Sequence, residues 1–323
     1  MTGPSSAVSL GASRIPGWLA PGSASGALIA LIVLVLLNSF FTPNFATTSN
    51  FWNVLLQASQ VVLVAVGMTL VIATGGIDLS VGSVMAIAGS VAAVQLGLGI
   101  VPATAIALAA ATLVGFVNGT LITRDRIQPI VVTLATLIAG RGLAQVISND
   151  GQLVPINEPG FEILGRGHIG PVPTPVVIAL LVAAAAAFAL RAMPFGRYLL
   201  SAGGNPAAAR LAGVPVRRTL ITAYTLSGLL AGVAGLIEVS RLGASDAAKV
   251  GVNIELDAIA AVVVGGTALT GGRATIFGTV VGALIMQVIA TSFNMLLVPY
   301  AWSLALKAGI ILFAVYLQRA KRV

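Results

Sequence analysis

Residues 67–89 read GMTLVIATGGIDLSVGSVMAIAG. The flanks are apolar and the centre is not. Gly75-Gly76 interrupts a helix, and Asp78 and Ser80 then offer a carboxylate and a hydroxyl to the orphan N–H groups that open the next one. The apolar runs continue outward over 53–74 and 80–97, each long enough to enter or cross a hydrocarbon layer about 30 Å thick. A carboxylate in or near that layer is costly and points to function by default. Asp78 as a plain helix cap at the membrane edge fits the same residues, and the two roles are compatible.

Further apolar runs cover about 26–41, 101–123, 128–148, 173–192, 219–241, 254–270, 274–297 and 300–318, giving an expectation of ten spans. The predicted fold is all-α: a polytopic transmembrane helical bundle with broken helices. Composition agrees. Of 323 residues, 58% are hydrophobic and 8% charged, against roughly 25% charged in a soluble domain. A soluble enzyme and a nucleic-acid-binding domain are excluded on that ground. With both termini inside, Arg14, Arg124, Arg126, the arginines of 191–218, Arg273, Arg319, Lys321 and Arg322 fall on the cytoplasmic side. Only Arg166, Arg241 and Lys249 fall outside. The bias toward positive inner loops selects this N-in, C-in orientation. Residues 1–25, rich in Gly, Ser, Pro and Ala, read as a disordered cytoplasmic tail, and 26–323 as one transmembrane domain.

Some chemistry is missing. There is no cysteine and one histidine, His168, so no metal or catalytic set is expected. No lysine stands in GxxxxGK[ST], so the sequence holds no phosphate-binding loop. Gly165, Gly167 and Gly170 spell GxGxxG, but Pro171 and Pro173 follow and forbid the helix that a dinucleotide site needs.

Other chemistry is present. A second glycine cluster, GGTALTGG over 265–272, interrupts the apolar stretch before Arg273. Discontinuous helices of this kind mark transport pathways, while close helix packing is the alternative. Gly115/Gly119, Gly228/Gly232 and Gly278/Gly282 read as packing motifs. Glu238 and Arg241 stand at i,i+3 and are expected to pair. Lys307, inside the last run, needs a partner, for which Asp257 is one choice. Gln57, Gln60, Asn118, Gln145, Gln287 and Asn294 offer uncharged hydrogen bonds to a hydroxylated solute. With Asp78 and Glu238, the last five of these form the pathway candidates; each amide could equally serve a neighbouring helix. The segment 193–218 is long and basic for an inner loop, which suits docking to another protein or anchoring the topology.

Residues 67–89 resemble the permease subunits of ribose-type ATP-binding-cassette sugar importers. GGNPAAARLAGV (203–214), ELDAIAAVVVGGTALTGGR (255–273) and the final run with Lys307-Ala308-Gly309 are similar to the same family, and IATGGIDLS with VMAIAG is most similar to its galactofuranose-type members. The resemblance implies an importer in the bacterial cytoplasmic membrane. A periplasmic or lipid-anchored binding protein delivers the sugar, and two permease subunits, identical or paralogous, form the path. Two partner ATPase subunits bind ATP and Mg, with no cofactor in this chain. It also implies that Asn205, Pro206, Ala207, Ala208, Ala209, Arg210, Leu211, Ala212 and Gly213 form a short coupling helix seated in the ATPase. The capping residues agree: Asn205 suits an N-cap, Pro206 the first helical position and Gly213 the stop. An ion-coupled secondary transporter is the alternative, but only Glu238, Asp78 and Asp257 could serve its carboxylate relay.

Overall fold

The computed structural model describes residues 24–319. All but the last two residues of the expected tail, together with Lys321 and Arg322, lie outside them. The helices are α1 (Ala24–Phe41), α2 (Thr48–Ala73), α3 (Val81–Gln95), α4 (Ile100–Arg124), α5 (Pro129–Ile147), α6 (Ile163–Arg166), α7 (Thr174–Ala192), α8 (Pro194–Gly204), α9 (Pro206–Leu211), α10 (Val216–Leu242), α11 (Ile254–Val264), α12 (Ile276–Met295) and α13 (Tyr300–Arg319). Four two-residue strands, β1 (Val154–Pro155), β2 (His168–Ile169), β3 (Val172–Pro173) and β4 (Ala244–Ser245), form two antiparallel pairs, β1 with β4 and β2 with β3. The protein is an all-α polytopic bundle. Among the described residues, α2, α3 with its 3-10 extension to Leu98, α4, α5, α7, α10 and α12 are each long and apolar enough to cross a membrane.

One expected span is corrected. The run 254–270 is helical only to Val264. Eleven residues rise about 16 Å, half of what a crossing needs. The stop is chemical. Gly266 takes φ +91°, its N–H donates to the Val263 carbonyl at 3.0 Å, and the Thr267 N–H donates to the Val262 carbonyl at 3.1 Å. This Schellman turn closes the helix with a left-handed residue that only glycine adopts cheaply. The first glycine pair ends α2 in the same way. Gly75 sits at φ +84°, and the N–H groups of Gly75 and Gly76 donate to the carbonyls of Ile72 (2.9 Å) and Val71 (3.3 Å).

Helix α2 is the axis of the bundle. Every residue from Ala58 to Ala73 is buried, as expected of a helix that is apolar all round. Around it stand α7, α10, α11 and α12. The expected packing glycines bring α4 and α10 together antiparallel. A Cβ on Gly115 would strike the Tyr224 carbonyl, and one on Gly228 would meet the Ala111 carbonyl at 2.6 Å. Gly265 and Gly278 likewise allow α11 and α12 to touch through their main chains, as does Gly282 against Ala261. The glycine-rich stretch near His168 is a hairpin turn at Gly170 (φ +63°) between β2 and β3, which removes any dinucleotide reading.

Candidate functional site

Between α2 and α3 the chain leaves the helix for residues 74–80 and carries Asp78 into the interior, where it is 1% exposed. Its Oδ1 accepts from the Ser80 N–H at 3.0 Å and from the Ser80 hydroxyl at 2.6 Å. Its Oδ2 accepts from the Ser227 hydroxyl of α10 at 2.8 Å. The network continues through neutral groups. Asn118 of α4 donates its Nδ2 to Ser80 Oγ at 2.9 Å. The Thr136 hydroxyl of α5 donates to Asn118 Oδ1 at 2.7 Å. Ser83 Oγ donates to the carbonyls of Ser80 (2.8 Å) and Thr136 (3.2 Å). A buried carboxylate thus joins four helices, α3, α4, α5 and α10, and each acceptor has a donor. Such a network is stabilising only when it is satisfied throughout. Beneath it lies Tyr224, fully buried, with a hydroxyl that has no hydrogen-bond partner and sits where a Cβ on Gly76 would fall. Of the pathway candidates, this network unites Asp78 and Asn118.

A second polar seam runs between α2 and α12. Gln287 Nε2 donates to Gln57 Oε1 and to Thr291 Oγ1, both at 3.2 Å. Gln60, one turn along α2 from Gln57, is buried and its Nε2 has no partner. Further along the same two helices the hydroxyls of Thr69 and Thr279 meet at 2.7 Å.

Glu238 belongs elsewhere. The Gly251 N–H donates to its Oε2 at 3.2 Å. The expected pair with Arg241 acts through charge and makes no direct contact: among the described residues the ion pairs within 4.0 Å are Lys249–Asp246 and Lys307–Asp257. The reason is the loop after α10, which folds inward and presents its own N–H to the carboxylate. That loop is pinned by Arg141 of α5, whose Nη1 donates to the carbonyls of Ala247 (2.9 Å) and Val250 (2.6 Å). Arg166 Nε holds the Arg241 carbonyl at 2.6 Å. Gln145 and Asn294 join none of these clusters: Gln145 is half-buried near the end of α5, and Asn294 is exposed near the end of α12.

Lys307 does find Asp257. Its Nζ lies 2.7 Å from Oδ1 and 2.9 Å from Oδ2, tying α13 to α11.

The segment 193–218 holds two helices, α8 and α9. Asn205 caps α9, its Oδ1 accepting from the N–H groups of Ala207 (3.1 Å) and Ala208 (3.0 Å). Gly213, at φ +79°, ends it with another Schellman turn, in which the Val214 N–H donates to the Ala209 carbonyl at 2.9 Å. Pro206, Ala207, Ala208, Arg210, Leu211, Ala212 and Gly213 are exposed and only Ala209 is buried. Leu211 stands 91% exposed, an unusual position for a leucine in a segment that packs on nothing beyond it.

Sequence reasoning missed Arg141 as a loop clamp and Ser227 and Thr136 as network members. Arg141 had a signal, being a charge inside an apolar run. Ser227 and Thr136 had none, because a lone hydroxyl on an apolar helix does not announce its partner.

The chain is thus a multi-pass membrane bundle with two glycine-broken helices, a buried polar network and an exposed, capped helix between α8 and α10. The chain belongs to the family described as branched-chain amino acid transport system / permease component, whose model matches residues 50–315. It is 43% identical to the ribose import permease protein RbsC of Escherichia coli K12 over 304 residues, covering 91% of this chain and 93% of that protein. It is 40% identical to the galactofuranose transporter permease protein YtfT of the same organism, covering 90% and 88%. It is 39% identical to the ribose import permease protein RbsC of Bacillus subtilis, covering 92% of each. No solved structure matches the chain.

Proposed function

We propose that this chain is the membrane-spanning permease subunit of an ATP-driven importer in a bacterial cytoplasmic membrane, and that its solute is a monosaccharide of the ribose or galactofuranose kind. The observation that carries the reading is similarity to sugar permeases over nine tenths of both chains. The missing phosphate-binding loop supports a motor in a partner ATPase, which binds ATP and Mg. A binding protein outside the membrane delivers the sugar, and a second permease subunit completes the path. The orientation is N-in, C-in with ten membrane segments, the eighth made of α11 together with the non-helical stretches that flank it. This puts α8 and α9 in the cytoplasm, where 205–213 docks the ATPase through the exposed Leu211 and Arg210.

Asp78 acts in this scheme as the fastener of the α2–α3 break. Both of its oxygens are occupied by neutral donors from Ser80 and Ser227, which leaves it poorly suited to relay an ion. That disfavours an ion-coupled secondary transporter. The amides of Gln57, Gln60 and Gln287 are better suited to meet sugar hydroxyls, since the Gln60 donor is unsatisfied and a buried polar group seeks a partner. The test is reconstitution with the ATPase and binding protein and a panel of labelled pentoses and hexoses. Uptake of one of them identifies the sugar, and uptake of none rejects the monosaccharide reading.

A further inference from the structure

We infer that Gly203 is a positioning residue of the transport cycle. It seats the α8–α9 segment on the main chain of both helix breaks, so that a displacement of α9 carries the two breaks as one rigid unit. The inference rests on the reading that α9 docks the ATPase.

The geometry begins with an orphan. Ala73 is the last residue of α2, and its carbonyl is one of those that a helix end leaves without an internal partner. The Gly272 N–H, from the second glycine cluster, donates to it at 2.9 Å. The two breaks, almost 200 residues apart in sequence, are therefore tied by a main-chain hydrogen bond. Gly203, in the last turn of α8, packs on that bond. A Cβ at 203 would strike the Ala73 carbonyl oxygen and come within 2.7 Å of the Gly272 nitrogen. Gly271 closes the third side, its Cβ direction lying 2.8 Å from the Gly75 nitrogen and 2.9 Å from the Gly203 carbonyl oxygen. Gly204 faces Gly272 as well. Three segments meet with no side chain between them.

Contacts through side chains can slip by changing rotamer, whereas contacts through main chain cannot. A shift of α8 toward the junction must displace Ala73 and Gly272 together or break their bond. On one side, Asn205 opens α9 two residues after Gly203. On the other, Asp78 lies five residues after Ala73 and fastens α3, α4, α5 and α10. The junction is thus a short, contiguous link between the docking helix and the buried network, the kind of rigid element through which coupling travels. This assigns the glycine-rich motifs a shared purpose, because each supplies a residue without a side chain to the same point.

The natural chain has no cysteine, which makes the link directly testable. Gly204→Cys with Arg273→Cys, both at exposed positions, places one thiol on each side of the junction for a short, reducible bifunctional thiol reagent. With the chain reconstituted beside its ATPase and binding protein, the linked form retains at least half the ATP-driven uptake of the reduced form. A tenfold loss that reductant restores overturns the rigid unit, because it means the junction must open. In parallel, Gly203→Ala and Gly203→Val keep co-purification with the ATPase but lose uptake at least tenfold. Uptake within twofold of wild type in Gly203→Val overturns the role of Gly203. Should these variants fail to insert, the crosslink decides. Failure of the wild-type chain to hold the ATPase is a separate result: it removes the docking reading, and this inference with it.

Discussion

Replacing Lys307 by Leu tests how the last helix is held. The ammonium reaches both oxygens of Asp257, at 2.7 and 2.9 Å. The lysine side chain is 10% exposed and that of Asp257 22%, so the pair is largely shielded from water. Removing one partner of a buried pair leaves an uncompensated charge and costs about 3–5 kcal/mol, while replacing both with apolar residues is close to neutral. The residual exposure of Asp257 places the expectation near the lower figure, about 3 kcal/mol, or roughly a hundredfold in an equilibrium constant. Lys307→Leu and Asp257→Leu are each expected to lower the unfolding midpoint in detergent, and the double variant to recover most of the loss. The assay is a double-mutant cycle on purified protein, read by thermal or denaturant unfolding. Single variants within about 0.5 kcal/mol of wild type, the usual size of a neutral surface change, refute the reasoning. So does a double variant whose losses simply add.

Three further outcomes are expected. Asn205→Ala removes the cap that serves two N–H groups of α9 and costs that helix about 1 kcal/mol, so ATPase affinity falls roughly fivefold while Asn205→Asp keeps it; a pull-down titration reads both. Asp78→Ala leaves the Ser80 N–H and two hydroxyls without their acceptor and impairs uptake, and Ser227→Ala, which removes one bond to a buried carboxylate, destabilises by about 1.5–3 kcal/mol, measurable by thermal unfolding. Gly228→Leu drives a side chain into the Ala111 carbonyl and forces α4 from α10, at a cost of about 3 kcal/mol, visible as reduced folded yield in the membrane.

The elements were legible where the signal is local. Apolar runs located the long helices, Gly75-Gly76 and Gly265-Gly266 marked the breaks, and Asn205, Pro206 and Gly213 gave the bounds of α9, because capping is decided by neighbouring residues. What failed was tertiary. The length of α11 was overestimated because GGTALTGG is apolar enough to extend a hydropathy window although its glycines stop the helix. The Glu238–Arg241 pair holds only as an interaction of charges, because the loop after α10 folds back and gives the carboxylate the Gly251 N–H as its hydrogen-bond donor. The network around Asp78 draws Ser227 and Thr136 from helices far along the chain, and hydroxyls on apolar helices carry no trace of that in sequence. The meeting of Ala73, Gly203 and Gly272 was hidden for the same reason, although each of its motifs was visible by itself.

The central claim is that this chain conducts a sugar only as part of an ATP-driven assembly. The most direct measurement is uptake into proteoliposomes of the chain alone under an ion gradient, beside the same chain with its ATPase, its binding protein and enclosed ATP. Uptake confined to the complete set, and abolished when the ATPase cannot hydrolyse ATP, is the predicted result. Gradient-driven uptake by the chain alone would contradict it.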